Sequence, residues 1–286
     1  MICFQVKITV LLYDNIAMKD KIVVITGASS GIGKALAYEF GGKGAKVVLA
    51  ARNLAKLEEI ASDLTTLGIV AIIVKTDVTI ENDCRQLVEK TIENFGRIDV
   101  LINNAGISMR ALFIDLQLDV LHHLMDTNYW GTVYCSKFAL PHIVKTGGSL
   151  VGVISIGGYM GMPGRSGYSA SKYAVRGFLD SIRIENRKTG LHVLVAAPGF
   201  TRSNIRRSAL LADGLPQGGT PRDEDHMMKA EEVASHIYKA VVRRKRELIL
   251  TFFEGKVTVF LGKFVPNFLD RLIYNMFARE ENSPLS

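Results

Sequence analysis

The sequence predicts an α/β protein built on a doubly wound parallel sheet, and three features of its 286 residues point to this class. Short apolar runs alternate with stretches of helical spacing. The runs are apolar almost throughout, which is typical of strands that helices cover on both faces. A glycine-rich segment, Thr26-Gly-Ala-Ser-Ser-Gly-Ile-Gly33, joins the first strand to the first helix. Right-handed crossovers between such units produce a doubly wound sheet with helices on both faces.

The individual elements follow from the same patterns. Apolar, β-branched runs predict strands at residues 21–26, 46–51, 70–74, 99–103, 149–155 and 191–197. Apolar residues three or four positions apart predict helices at residues 31–41, 54–67, 81–95 and 166–187, and a long helix within 118–144. Asn53 is a candidate N-cap of the second helix.

The chain is long and apolar enough for one large domain, since 48% of its residues are hydrophobic. We expect this domain at residues 18–250, with a substrate loop at about 200–230 that contains the turn-rich segment 214–222. Residues 1–17 are apolar but too short to span a bilayer. We expect either a disordered extension or a misplaced start, with Met18 as the real beginning, and an interfacial anchor is the alternative.

Composition argues against several classes of site. The three cysteines are far apart without a CxxC motif, and the six histidines show no HExxH spacing. A disulfide framework and a zinc site are therefore not expected, and a reducing, cytoplasmic compartment fits. The net charge of +7 is compatible with nucleic acid, a membrane surface or an anionic cofactor. Because no nucleic-acid recognition motif is present, we do not expect a nucleic-acid partner.

The segment from Ser155 to Lys172 carries the strongest chemical signal. Tyr168 and Lys172 are four residues apart, so a helix places both side chains on one face. A lysine ammonium there favours the phenolate and lowers the tyrosine pKa from its ordinary value of about 10. Ser155, at the end of the fifth predicted strand, adds a hydroxyl that can donate a hydrogen bond to a carbonyl oxygen. Together these groups predict acid–base chemistry at a carbonyl or alcohol.

The glycine-rich segment predicts a dinucleotide site, because glycines allow a close backbone approach and a helix N-terminus attracts phosphates. A simple tight turn is the alternative. NAD-specific sites usually place an acidic residue after the second strand. This chain has Ala50-Ala51-Arg52-Asn53 there, without a carboxylate, and Arg52 can pair with a 2′-phosphate. We therefore predict NADP(H), with a solvated charge at Arg52 as the alternative.

The motifs, in the order in which they occur along roughly residues 21–203, resemble those of the short-chain dehydrogenase/reductase (SDR) family. The resemblance implies a Rossmann-like fold. The matching residues are Thr26-Gly-Ala-Ser-Ser-Gly-Ile-Gly33, Asn103-Asn-Ala-Gly106, Asn128, Ser155, Tyr168-Ser-Ala-Ser-Lys172 and Pro198-Gly199. The most similar branch contains NADP-using hydroxysteroid dehydrogenase-like and ketosphinganine reductase-like enzymes.

The resemblance implies four catalytic residues. Tyr168 matches the tyrosine that is the acid in reduction and the base in oxidation, and Lys172 matches the lysine that binds the nicotinamide ribose. Ser155 matches the serine that orients the substrate oxygen, and Asn128 matches the asparagine that holds a water in the proton relay. The implied cofactor-binding residues are Tyr168 and Lys172 with Gly27, Ser29, Ser30, Gly31, Ile32, Gly33, Ala51, Arg52, Asp77, Val78, Asn104, Ala105, Gly106, Pro198, Gly199, Thr201 and Ser203.

Taken singly, some of these residues have structural interpretations. Asn128 could bridge backbone groups in a helix, and Asp77 could be a strand-end turn residue. The ordered set favours the functional interpretation. One departure is Ser30, where many NADP-using members have a basic residue, so Arg52 becomes the main candidate for the phosphate.

We expect reversible carbonyl reduction of an apolar, steroid-like or lipid-like substrate by a homodimer or homotetramer. A substrate pocket and ordinary core are both open interpretations of Met109, Leu112, Phe113, Tyr159, Met160, Met162 and Phe200. The arginines 202, 206 and 207 either meet an anionic group or form a solvated helix face. The rival functions are an acyl-carrier ketoreductase and a non-catalytic dinucleotide sensor.

Residues 256–279 show an amphipathic helical pattern that Pro266 interrupts. Three interpretations of this C-terminal segment are open: it packs on the domain or on a partner subunit, it lies in a membrane interface, or it covers the substrate entrance.

Overall fold

The computed structural model describes residues 17–220, 223–225, 227–280 and 282–285. Apart from Ala17, the predicted N-terminal extension lies outside the described residues, as does part of the predicted loop 214–222.

The core of the protein is one parallel sheet. Its strands are β1 (Ile22–Thr26), β2 (Lys46–Ala51), β3 (Ala71–Lys75), β4 (Val100–Asn103), β5 (Ser149–Val153), β6 (His192–Ala197) and β7 (Glu247–Ile249). They pair in the order β3-β2-β1-β4-β5-β6-β7, all in parallel. This confirms the predicted doubly wound fold. Strand β7 was not predicted, because its three residues are too few to show a pattern.

The helices that cover the sheet are α1 (Gly31–Gly42), α2 (Leu54–Thr66), α3 (Glu81–Phe95), α4 (Leu118–Leu124), α5 (Gly131–Lys145), α6 (Ser166–Glu185) and α7 (Ala230–Val242). Asn53 caps α2 as predicted, since its side chain accepts a hydrogen bond of 3.1 Å from the backbone N–H of Lys56. The prediction of a single long helix within 118–144 is wrong in one respect. A π-helical turn, Met125–Trp130, separates α4 from α5 and contains Asn128.

Both faces of the sheet are buried, which explains why the strands are apolar almost throughout. In β1, Val23 and Ile25 belong to a core layer with α1, α2 and α7, whereas Ile22 and Val24 belong to the opposite layer with α3, α5 and α6. In the first layer the rings of Phe40 (α1) and Tyr238 (α7) meet edge to face, with centroids 5.3 Å apart.

One close contact in the second layer positions α6 against β5. Gly152 in β5 faces Leu179 of α6, and a Cβ atom at Gly152 would lie 2.3 Å from Leu179 Cδ1. Leu179 is fully buried, so it has no room to withdraw. The missing side chain at Gly152 therefore lets α6 pack close to the strand.

The C-terminal segment leaves the sheet after β7. A π-helical turn, Phe252–Val257, leads into α8 (Thr258–Phe264), and α9 (Pro266–Ala278) follows. The break at Pro266 agrees with the sequence pattern, because Pro266 is the first residue of α9. None of the helices among the described residues is sufficiently long and apolar to cross a bilayer.

Gly152→Ala is expected to lower the free energy of unfolding by about 1–3 kcal/mol, because the added methyl overpacks the contact with Leu179. The matched control is Gly177→Ala on α6, where a Cβ meets nothing within 4 Å. Removing a glycine from a helix interior should raise stability there by roughly 0.5–1 kcal/mol. Urea unfolding of both variants measures the difference, and equal effects of the two substitutions would contradict the close contact.

Candidate active site

Three predicted catalytic side chains meet where β5 ends beside α6. Tyr168 and Lys172 both lie on α6 and are only 8% and 4% exposed. The Lys172 Nζ atom lies 5.8 Å from the centroid of the Tyr168 ring and donates a 3.1 Å hydrogen bond to the carbonyl oxygen of Val153. Ser155 begins the 3₁₀ turn after β5, where its hydroxyl accepts a hydrogen bond from Gly157 N–H at 3.2 Å. The Ser155 hydroxyl is also close enough to Tyr168 to lower the pKa of the phenol.

Burial controls the protonation of this site. Burial raises the pKa of Tyr168 above its ordinary value, and the Ser155 hydroxyl and the charge of Arg165 offset this only in part. The predicted lowering of the tyrosine pKa by Lys172 is therefore wrong for the protein without a dinucleotide. Burial also lowers the pKa of Lys172 to about 8. Tyr168 is thus a neutral phenol at neutral pH and has a proton to donate.

Asn128 is held in place by its whole side chain. Its amide oxygen accepts from the Ile107 N–H at 2.8 Å, and its amide nitrogen donates to the Ile107 carbonyl at 3.0 Å and to the Ser171 hydroxyl at 2.9 Å. A Cβ atom at Gly106 would lie 3.0 Å from Asn128 Oδ1 and 3.2 Å from Lys172 Nζ. Asn128 therefore bridges the loop after β4 to α6 and lies next to Lys172.

The glycine-rich segment forms a tight cradle between β1 and α1. Gly27 has a φ of +66°, in the left-handed region that favours glycine. A Cβ atom at Gly33 would lie 2.1 Å from the Gly27 carbonyl oxygen. Asn104, the first residue after β4, closes the cradle, because its amide donates a 2.9 Å hydrogen bond to the Thr26 carbonyl. The Ser30 side chain makes no capping bond, and the first turn of α1 has no acidic residue. These features fit the pyrophosphate of a dinucleotide.

The two strand ends that would flank the adenosine differ in character. At the end of β2, Ala51 is buried and the next residue, Arg52, is exposed, without a carboxylate at positions 50–53. After β3, the Asp77 carboxylate accepts hydrogen bonds from the backbone N–H and the hydroxyl of Thr79, at 3.0 and 2.8 Å. Asp77 therefore stabilises a turn at the end of the strand, as its structural interpretation predicts. Its role beside the adenine stays a prediction.

A cavity of about 200 Å³ joins the cradle to the catalytic groups. The predicted site residues that line it are Ile32, Asn104, Gly106, Ser155, Tyr168, Lys172, Pro198, Gly199, Thr201 and Ser203. The other predicted residues are not part of this lining: Gly27, Ser29, Ser30, Gly31, Gly33, Ala51, Arg52, Asp77, Val78, Ala105 and Asn128. The glycine cradle still adjoins the cavity, since a Cβ atom at Gly31 would lie 3.4 Å from Ser203 Cβ.

The candidate substrate residues divide into two groups. Met160, Met162 and Phe200 line the cavity. The pocket interpretation is wrong for the others: Tyr159 donates a hydrogen bond to Glu247 and stacks under Arg176, Phe113 is exposed, and Met109 and Leu112 do not reach the lining. Of the three arginines, Arg206 is buried in the cavity wall and pairs with Glu224 at 2.6 Å, so it is not a solvated residue.

Two parts of the cavity wall lie outside the predicted site residues. Arg165, at the N-terminus of α6, is buried, and its guanidinium donates a 2.6 Å hydrogen bond to the Met109 carbonyl. Nothing in the sequence distinguished it from a surface arginine. The second part is α9, which contributes Leu269, Leu272, Ile273, Met276 and Phe277. The amphipathic pattern revealed an apolar face there but not what that face covers.

No group of three or more His, Cys, Asp or Glu side chains capable of holding a metal ion occurs among the described residues. Cys84 and Cys135 are buried free thiols.

Comparison with known sequences places these features in a family. The sequence model described as "short chain dehydrogenase" matches residues 21–213. Dehydrogenase/reductase SDR family member 7B of Mus musculus is 34% identical over 274 residues, which cover 94% of this chain and 85% of the mouse protein. The 11-beta-hydroxysteroid dehydrogenase-like 4A protein of Arabidopsis thaliana is 41% identical over 199 residues, covering 68% and 66% of the two chains.

Solved structures agree with this fold. An alcohol dehydrogenase from the archaeon Thermococcus sibiricus, complexed with 5-hydroxy-NADP, superposes with a TM-score of 0.73 at 26% identity, over 81% of this chain and 96% of the archaeal one. A short chain dehydrogenase/reductase from Burkholderia phymatum in complex with NAD has the same TM-score of 0.73 at 23% identity, over 81% and 89% of the two chains, and shows the fold alone.

Lys172→Met is expected to raise the free energy of unfolding of the dinucleotide-free protein by up to about 3 kcal/mol below pH 8. Burial of the protonated Lys172 amine destabilises the folded wild-type protein, and this destabilisation is complete below the folded pKa of about 8. It disappears as the pH rises to the unfolded pKa of 10.5, and the stability difference between Lys172→Met and wild type disappears with it.

Urea unfolding at several pH values between 7 and 10.5 measures this advantage. Lys137→Met, at an exposed position on α5, is the control and should show no such trend. A stability difference between wild type and Lys172→Met that is the same at every pH would contradict the prediction.

Proposed function

Because the chain belongs to the short-chain dehydrogenase family, we propose that this oxidoreductase of CH–OH groups uses NADP(H) to interconvert a carbonyl and an alcohol on an apolar substrate. The observation that carries the proposal is the convergence of the Ser155 and Tyr168 hydroxyls in a largely apolar cavity that adjoins the glycine cradle.

The residues of the chain supply orientation and a proton. Ser155 and Tyr168 hydrogen-bond the carbonyl oxygen and stabilise the negative charge that develops on it. Tyr168 then donates its proton to that oxygen. Lys172 lies close to Tyr168 and next to Asn128, and these two residues form the proposed relay that returns a proton to Tyr168. A bound nicotinamide would supply or accept the hydride. Pro198, Gly199 and Thr201 line the part of the cavity that would hold this ring.

NADP(H) is favoured over NAD(H) by the end of β2. Arg52 is exposed there, and the sequence has no carboxylate at positions 50–53 that would repel a 2′-phosphate.

Two rival functions are separated from this one by simple observations. An acyl-carrier ketoreductase would share the same catalytic groups, but α9 walls the cavity with apolar side chains. A non-catalytic dinucleotide sensor would not need Ser155, Tyr168, Lys172 and Asn128 together. NADPH oxidation measured with steroid ketones, long-chain ketones and acyl thioesters discriminates between the three.

A homodimer or homotetramer, a cytoplasmic location and a peripheral membrane contact through residues 256–279 stay predictions. The membrane contact is favoured by the exposed rings of Phe260, Phe264 and Phe268, which lie near the basic residues Lys263 and Arg271 in the sequence.

Tyr168→Phe is expected to lower kcat for ketone reduction by at least about 10²-fold, because the proton donor is lost. NADPH affinity, measured by fluorescence titration, should change by less than about threefold, because the ring itself is retained. Tyr173→Phe is the matched control, since Tyr173 is an exposed tyrosine on the same helix. Full residual activity of Tyr168→Phe would overturn the proposed role.

Arg52→Ala is expected to weaken NADPH binding about tenfold or more and to leave NADH binding nearly unchanged, because a charge-assisted hydrogen bond to phosphate contributes about 1.5–3 kcal/mol. Titration of both dinucleotides measures the change. Lys56→Ala on α2 removes another exposed cation and serves as the control. Tighter binding of NADH than of NADPH by the wild-type protein would contradict this role of Arg52.

A further inference from the structure

The 3₁₀ turn that follows β5, Ile156–Gly158, controls where the Ser155 hydroxyl lies. Ser155 is the N-cap of this turn. The Gly157 N–H donates a 3.2 Å hydrogen bond to the Ser155 hydroxyl, and the Gly158 N–H donates a 2.9 Å bond to the Ser155 carbonyl. A Cβ atom at Gly157 would lie 3.4 Å from Tyr168 Cε1, so the turn also packs close to the phenol ring. Movement of the turn would therefore move Ser155 relative to Tyr168.

Most of this turn has no side chain that could fix its position. Gly157 and Gly158 are both buried glycines, and glycine leaves the backbone with more conformational freedom than any other residue. Ile156 is buried and anchors the beginning of the turn. The side chain at the other end is that of Tyr159, so this residue is placed to limit the movement of the turn.

Tyr159 connects the turn to two other elements of the fold. Its backbone N–H donates a 2.9 Å hydrogen bond to the Ile156 carbonyl and closes the turn. Its phenol donates a hydrogen bond to the Glu247 carboxylate at the start of β7. The Arg176 guanidinium, on α6, stacks on its ring, with Cζ 3.9 Å from the ring centroid. One side chain thus joins the turn, the sheet edge and the helix that carries Tyr168.

The charges around Tyr159 keep it a hydrogen-bond donor. Burial and the Glu247 carboxylate raise its pKa well above the ordinary value, Arg176 opposes this, and Asp180 acts in the same direction as Glu247. A neutral phenol that donates to a carboxylate forms a charge-assisted hydrogen bond, which is stronger than a bond between neutral groups. The contact is therefore retained at alkaline pH, where the ionisation of Tyr168 can be measured.

We propose that Tyr159 is a positioning residue of the active site: its contacts with α6 and β7 hold the turn and thereby keep the Ser155 hydroxyl beside Tyr168. The consequence for turnover rests on the proposed oxidoreductase function. The consequence for the ionisation of Tyr168 does not, because Ser155 acts on this phenol in the dinucleotide-free protein.

The ionisation of Tyr168, measured by carbon-13 NMR of labelled tyrosine Cζ, tests the positioning role without turnover. Ser155 lowers the pKa of Tyr168, so displacement of its hydroxyl should raise that pKa. In Tyr159→Leu, which removes both the hydrogen bond and the ring stack, Tyr168 should ionise at higher pH than in wild type. Tyr173→Leu is the matched control, because Tyr173 is an exposed tyrosine on α6, and should cause no shift.

A double variant shows whether Tyr159 acts through Ser155. In the Ser155→Ala background, Tyr159→Leu should cause no further shift in the ionisation of Tyr168, because substitutions that remove the same contact are not additive. Unchanged ionisation of Tyr168 in folded Tyr159→Leu, or an equal shift in both backgrounds, would overturn the proposal. If Tyr159→Leu does not fold, Tyr159→Phe, which removes only the hydrogen bond to Glu247, decides the question in the same way.

Ketone reduction separates failure of this role from failure of the proposed function. Tyr159→Leu should lower kcat for 2-dodecanone at least about fivefold, because a misplaced Ser155 orients the substrate oxygen poorly, and should change NADPH affinity less than about twofold. Glu247→Gln should retain at least about half of the wild-type kcat, because its amide oxygen can still accept from Tyr159. Wild-type kcat in Tyr159→Leu would overturn the role in turnover. A wild-type protein that oxidises NADPH with none of the ketones would overturn the proposed function, and the NMR titration would still decide the positioning role.

Discussion

The proposed chemistry depends on the close packing of α6 against β5. The strand delivers Ser155 and the helix delivers Tyr168 and Lys172, so the distance between these two elements sets the geometry of the site. Gly152 makes this distance short, because any side chain there would collide with the buried Leu179. The result is a phenol beside a hydroxyl that lowers its pKa, in a place from which water is largely excluded.

Burial and charge act together in this cavity. Its charged lining residues are Arg165, Lys172 and Arg206, and no acidic side chain belongs to the lining among the described residues. The charge of Arg206 is compensated by Glu224, so Arg165 and Lys172 are the cations that favour phosphates and a developing oxyanion here. The same burial makes each cation costly, which is why the pKa of Lys172 is lowered to about 8. The site is therefore less stable than an apolar core would be, in exchange for its electrostatic effect.

Local patterns predicted the sheet and the catalytic segment well, and distant contacts poorly. Strand composition and the glycine-rich segment identified the sheet, and the spacing of Tyr168 and Lys172 placed them on one helical face. The direction of the Tyr168 pKa shift was missed, because burial of the ring raises the pKa by more than Ser155 and the charge of Arg165 lower it. The sequence left three interpretations of the α9 segment open for the same reason, since its apolar face meets Met160 and Phe200, which are far away in the sequence.

The central claim is that Tyr168 is a buried, neutral phenol whose pKa burial raises and Ser155 lowers. Carbon-13 NMR of the protein with labelled tyrosine Cζ, with Tyr168→Phe used for assignment, measures its ionisation directly. The account predicts that Tyr168 ionises above pH 10.0 in the dinucleotide-free protein, and at still higher pH in Ser155→Ala, since the Ser155 hydroxyl favours the phenolate. Ionisation below pH 10.0, or a titration that Ser155→Ala leaves unchanged, would contradict it.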